Sequence, residues 1–198
     1  MIRLSIKNAV GGITAIGATL SMAPAFAHDG SHASFSLAAG FLHPFSGLDH
    51  LLAMLAVGFL AVQNKRSAQW ALPLAFVLAM VLGATLGISG LQAAGAEIGI
   101  AVSVVALGLL IALMTRMPVA AGAGVVGMFA LVHGYAHGIE VPQGASAVPY
   151  IAGLVGATAL LHLSGMAAGL LLAGRKHWVR AAGAGVVAAG VCLLAAAA

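Results

Sequence analysis

Two apolar stretches of this chain carry side chains of the types that can bind metal ions. The first, HPFSGLDHLLAMLAVG from His43 to Gly58, holds His43, Asp49 and His50. The second, LVHGYAHGIE from Leu131 to Glu140, holds His133, His137 and Glu140. A third, LLHLSG, adds His162. Imidazole nitrogen with carboxylate oxygen, and no thiolate, suits borderline divalent ions: nickel, cobalt, zinc or copper(II). Magnesium and calcium favour oxygen-rich sets. Met54, one turn beyond His50, offers a soft contact, although methionine on an apolar helix ordinarily fills space.

The spacings suit helices. His43 and His50 are seven residues apart, which on a continuous helix puts them on nearly the same face, with Asp49 about 100° round from His50. Pro44 cannot donate to the carbonyl of Gly40, so it is expected to interrupt the helix and free that carbonyl. Gly47 is expected to leave the surface open between the two histidines. His133 and His137 stand at i, i+4, and Glu140 aligns with both if the helix continues. Gly134 and Gly138 bare the neighbouring surface.

A single histidine in a helix usually makes one hydrogen bond and nothing more, and Asp49 paired with His50 would merely stiffen a bundle. The set as a whole is another matter, because one charged residue at mid-bilayer costs roughly 2.5–3.5 kcal/mol on insertion scales. Glu97 stands alone near the start of a span and is expected to snorkel or pair, and His177 lies among basic residues and is expected to be solvated.

The elements that must position these groups are transmembrane helices. Of 198 residues, 62% are hydrophobic and 6% charged, far below the quarter charged that a soluble domain carries. The class is therefore all-α, a polytopic membrane bundle. The calculated pI of 9.9 does not indicate nucleic acid, since the basic residues form no patch with interleaved aromatics. The single cysteine, Cys192, excludes an internal disulfide framework and a multi-thiolate site.

Residues 1–27 read as a secretory signal peptide: Arg3 and Lys7, an apolar core, then Ala25-Phe26-Ala27. Cleavage would expose His28, and residues 28–34 form an expected periplasmic metal-capture tail in which His28 and His32 are candidate ligands. Residues 35–198 then form a six-helix transmembrane domain. The expected spans are Phe35–Val62, Trp70–Ile88, Leu91–Met114, Pro118–Gly138, Val148–Ala173 and Val179–Ala197. With the mature N-terminus outside, Lys65, Arg66, Arg116, Arg175, Lys176 and Arg180 all fall in cytoplasmic loops, as the positive-inside rule asks. Counting at 1.5 Å per residue puts His43 about 10 Å in from the outer face, with His50 and His162 near the middle. Spans one to three and four to six run oppositely, which suggests an inverted repeat, though the halves share little sequence.

The motif around His43, Asp49 and His50, together with VHGYAHGIE from Val132 to Glu140 and ALLHLSG, resembles the HupE/UreJ family of bacterial nickel and cobalt permeases. The resemblance spans essentially the whole chain and implies six membrane helices and metal uptake from the periplasm across the inner membrane. It implies transport roles for His43, Asp49, His50, His133 and Glu140, and a less defined one for His137. Val132 departs from the pattern, where an aromatic is expected.

The expected function is passage of Ni2+ or Co2+ as substrate, from His28 and His32 to His133, His137 and Glu140, then to His43, Asp49 and His50. No resident cofactor and no enzymatic step is expected, and no G-x-x-x-x-G-K-[ST] motif signals an ATPase. The expected partners are the metal ion, the lipid bilayer and cytoplasmic metallochaperones. Rival readings are an intramembrane metal-dependent enzyme, which lacks H-E-x-x-H, a haem-binding membrane protein with axial histidines, and a metal sensor. The sequence leaves open nickel against cobalt, the energy source, the oligomeric state, and delivery to urease, hydrogenase or cobalamin synthesis.

Overall fold

The computed structural model of the protein describes residues 32–64 and 68–197. The expected signal peptide and His28 lie outside the described residues, as do the side chain of His32 and the residues Lys65 and Arg66. Among the described residues all regular structure is helical: α1 (His32–Ser46), α2 (Leu48–Gln63), α3 (Ala68–Ile88), α4 (Ala96–Ala112), α5 (Val119–Ile139), α6 (Ala147–Leu171) and α7 (Lys176–Ala197).

Helices α3, α5, α6 and α7 are each long and apolar enough to cross a membrane, and α1 with α2 pass together as a pair bent by 85°. Helix α4 is apolar but has 17 residues, so it is the element on which a sixth crossing turns. It starts at Ala96 rather than near Leu91. Gly90 and Gly95 have φ of 82° and 80°, a left-handed backbone that ends helical register at both places. The hydroxyl of Tyr135 holds the intervening turn, donating to the carbonyl of Leu91 and accepting from the amide of Ala93.

Apolar residues surround the helices on every side. On α3, Leu72, Phe76, Met80 and Ala84 are buried while Trp70, Leu74, Leu78 and Leu82 are exposed. A helix that is hydrophobic all round suits a lipid exterior. Contact between helices therefore depends on small residues. Along α3 and α5, Gly83 and Gly87 lie against the carbonyls of Leu131 and Tyr135, and Gly134 and Gly138 against those of Met80 and Ala84. Gly40 and Gly58 do the same toward Tyr150 and His162 of α6, and Gly153 and Gly165 toward Leu37 and Leu55. A side chain at any of these positions would meet backbone, so Gly134 and Gly138 are contact surface between helices and not openings beside the histidines.

Helices α1 and α2 pack on α6, α3 on α5, and α4 on α7. Counting the bent pair as one element, exchange of the first three elements with the last three reproduces this pairing. At one end of the bundle Gln63 Nε2 donates to the carbonyls of Leu110 and Thr115, and Asn64 Oδ1 accepts from the amide of Met117. A cavity of about 410 Å3 lies there, lined by Asn64, Arg116, Met117 and Pro118. At the other end the amide of Ser146 donates to Ser36 Oγ, close to the polar group described next.

Candidate metal centre

The break between α1 and α2 falls at Gly47 and not at Pro44, which lies inside the last turn of α1. Gly47 is extended, with φ −106° and ψ 122°. A Cβ there would lie 2.6 Å from Asp49 Oδ1 and 2.8 Å from His50 Cδ2, so a side chain at this position would displace both of theirs. The freed backbone groups are met locally: Ser46 Oγ donates to the carbonyl of His43, and the amide of His50 donates to Asp49 Oδ1. An acidic residue in the first turn also suits the positive end of the α2 dipole.

This bend, and not a shared helical face, brings His43 to His50. Seven residues of straight helix would rise about 10 Å, whereas the two ring centroids are 6.1 Å apart. Helix α5 supplies the rest. His137 has its ring 4.2 Å from that of His50 and 4.8 Å from that of His43. Glu140 caps α5, and His43 Nε2 donates to its Oε2 at 2.9 Å. One donor atom from each of His43, His50, His137 and Glu140 lies within 4.8 Å of the others.

Polarity is graded across the group. Glu140 is half exposed and His43 partly so, while His50 and His137 are buried. The hydrogen bond from His43 is the largest cause holding the Glu140 carboxyl below its ordinary value, so this end stays anionic at neutral pH. Both ring nitrogens of His137 are buried with no hydrogen-bond partner among the described residues. An orphaned imidazole inside an apolar bundle is costly, and a cation among the four donors would satisfy it.

His133 is not among the four. Its Nδ1 is 3.0 Å from His50 Nδ1, and its Nε2 is 2.7 Å from Ser103 Oγ on α4. Ser103 gives its one hydroxyl proton to the carbonyl of Ile100, so it accepts from His133 Nε2–H. Neutral His133 then accepts at Nδ1 from His50 Nδ1–H, which leaves the lone pair of His50 on Nε2, 3.8 Å from Asp49 Oδ1. In this tautomer the chain Ser103, His133, His50 leaves Nε2 of His50 with a lone pair, an arrangement of the kind that backs metal-binding histidines.

Of the sequence candidates, then, His43, His50, His137 and Glu140 converge, Asp49 flanks them through His50, and His133 stands behind. His162 lies elsewhere, buried and without a hydrogen-bond partner among the described residues, its ring edge-on to Phe76 at 5.1 Å. Phe76 is also 6.1 Å from His133, between the two. Glu97 is exposed in the first turn of α4, and His177 is exposed on α7. Sequence reasoning missed Ser103 and Tyr150, the latter buried with its ring 6.0 Å from that of His43. Neither carries a spacing signal.

The chain matches the HupE / UreJ protein family over residues 16–193. It is 46% identical over 172 residues to Protein HupE of Rhizobium leguminosarum bv. viciae, covering 86% of this chain and 90% of that one. No solved structure matches. A family match over residues 16–193 and a relative 46% identical across most of both chains identify the chain as a member of the HupE / UreJ family.

Proposed function

We propose that the protein is an inner-membrane permease that takes up Ni2+ or Co2+ from the periplasm. In this reading it crosses the membrane six times after removal of residues 1–27, with its mature N-terminus outside. The observation that carries the reading is the convergence of His43, His50, His137 and Glu140 donors within 4.8 Å. They come from helices of a membrane bundle and include an imidazole with no hydrogen-bond partner among the described residues. Nitrogen donors with one carboxylate suit nickel and cobalt. The family and the relative named Protein HupE agree with a transport role.

The route begins at the exposed end. His28 and His32 gather the ion, and Glu140 with His43 attracts it by charge. It then exchanges water for His50 and His137, with Asp49 at the side and His133 holding His50 in the binding tautomer. His162 lies further along. Several moderate sites admit an ion without trapping it. No covalent step is required, so the reading is of a transporter and not of an enzyme. Its partners are the ion, the bilayer and a cytoplasmic metallochaperone.

The test is competitive uptake of Ni2+, Co2+ and Zn2+ by proteoliposomes containing only this protein. Saturable Ni2+ or Co2+ entry that is lost in His50→Ala supports the reading. Binding without entry would make the protein a sensor or store, and a Soret band in the purified chain would make it a haem carrier.

A further inference from the structure

Deeper in the bundle stands a second cluster of donors that the imidazole group does not use. Thr158 Oγ1 on α6 lies 3.4 Å from the sulfur of Met54 on α2 and 3.4 Å from that of Met80 on α3. All three residues are fully buried. Hydroxyls in apolar helices ordinarily bond a carbonyl three or four residues back. Ser46, Thr85, Ser89, Ser103 and Ser164 do so here. Thr158 turns instead to two thioethers from different helices.

The cluster continues the path. Met54 is one turn beyond His50, and the backbone of Met80 packs on Gly134, beside His133. One turn past Thr158 on the same buried side of α6 is His162, whose two ring nitrogens have no partner among the described residues. Four donors therefore follow the outer group, contributed by three helices.

We propose that Met54, Met80, Thr158 and His162 form a second, softer binding step for the ion that leaves the imidazole group. The inference rests on the permease reading. Thioether sulfur is a weak ligand for Ni2+ and Co2+ beside imidazole and carboxylate. A weak step after a strong one lets a dehydrated ion move inward instead of remaining at the first group.

Met54→Leu/Met80→Leu preserves volume and apolarity and removes both sulfurs. Ni2+ entry into proteoliposomes is expected to fall at least tenfold, with equilibrium Ni2+ binding at the outer group within twofold of wild type. Unchanged entry overturns the proposal, and so does parallel loss of binding and entry, which marks the sulfurs as packing alone. Should the double variant fail to insert, Met80→Cys in a Cys192→Ser background gives an independent readout, Cys192 being an exposed thiol. Co2+ reaching this point then produces a thiolate charge-transfer band, and absence of the band overturns the proposal. Lack of Ni2+ entry by the wild type counts against the permease reading alone, and the cobalt band still decides the thioether step.

Discussion

His50 and His133 are 83 residues apart in sequence, and their Nδ1 atoms are 3.0 Å apart in the folded chain. Through this contact α4, which carries neither motif, reaches the candidate metal centre, because Ser103 holds the far nitrogen of His133. The two motifs that the sequence suggests as successive stations are one group in space: His43 pairs with Glu140, and His50 with His133. Predictions follow from each of these links.

Ser103→Ala removes the acceptor that fixes His133. Second-layer partners of metal-binding histidines are worth roughly 10–100-fold in affinity, so Ni2+ binding is expected to weaken by about that factor. Protein yield and helical content should stay at wild-type levels. Titration calorimetry in detergent measures it, and wild-type affinity would remove Ser103 from the site.

Glu140→Gln keeps an acceptor for His43 but discards the charge. Binding is expected to weaken about tenfold or more, and a double-mutant cycle with His43→Ala should show a coupling of roughly 0.5–3 kcal/mol, as residues in direct contact do. Additive losses would mean that the 2.9 Å contact does not operate in solution.

Gly47→Ala and Pro44→Ala discriminate between the two candidate breaks. The new methyl at position 47 would press on Asp49 Oδ1 and His50 Cδ2, with an overpacking penalty of about 1–3 kcal/mol. It is expected to cut uptake strongly. Pro44→Ala restores a helical amide within α1 and should leave the bend, and uptake, largely intact. Uptake assays with thermal-shift measurements on both variants decide it.

Gly134→Leu must push α5 away from the carbonyl of Met80 and is expected to abolish assembly, read as loss of a monodisperse peak in detergent. Gly124→Ala is the control. Nothing lies within 4 Å of its new methyl, so stability should hold or rise by up to about 1 kcal/mol.

Acid should inhibit uptake. Protonated imidazole does not bind metal, so acid competes with the ion for the imidazole donors. The carboxyl of Glu140 is held below its usual value by His43. It therefore remains ionised through the ordinary carboxylate range and is lost as a donor only in stronger acid. Its pairing likewise supports the fold above the carboxylate range and ceases to as pH drops through the lowered value. Glu140→Gln should accordingly retain the acid inhibition, and a profile in which that inhibition disappears would assign it to the carboxylate.

The donor types were legible in the sequence, because charged and imidazole groups stand out against apolar helices and no composition of this kind suits water. The helical class and most span limits were legible for the same reason: α3, α5 and α6 lie within a few residues of the expected ranges. Which way the histidines face was not. Helices apolar on all sides carry no periodicity that separates lipid from protein, so the sequence cannot say that Gly134 meets Met80 while His133 meets Ser103. Nor does it reveal that Gly47, and not Pro44, turns the chain, since that depends on Asp49 and His50 filling the space a side chain would need. Local chemistry decided what could bind an ion. Close backbone contact between helices distant in sequence decided which groups meet, because in lipid it is packing and hydrogen bonding, not exclusion from water, that selects the partner.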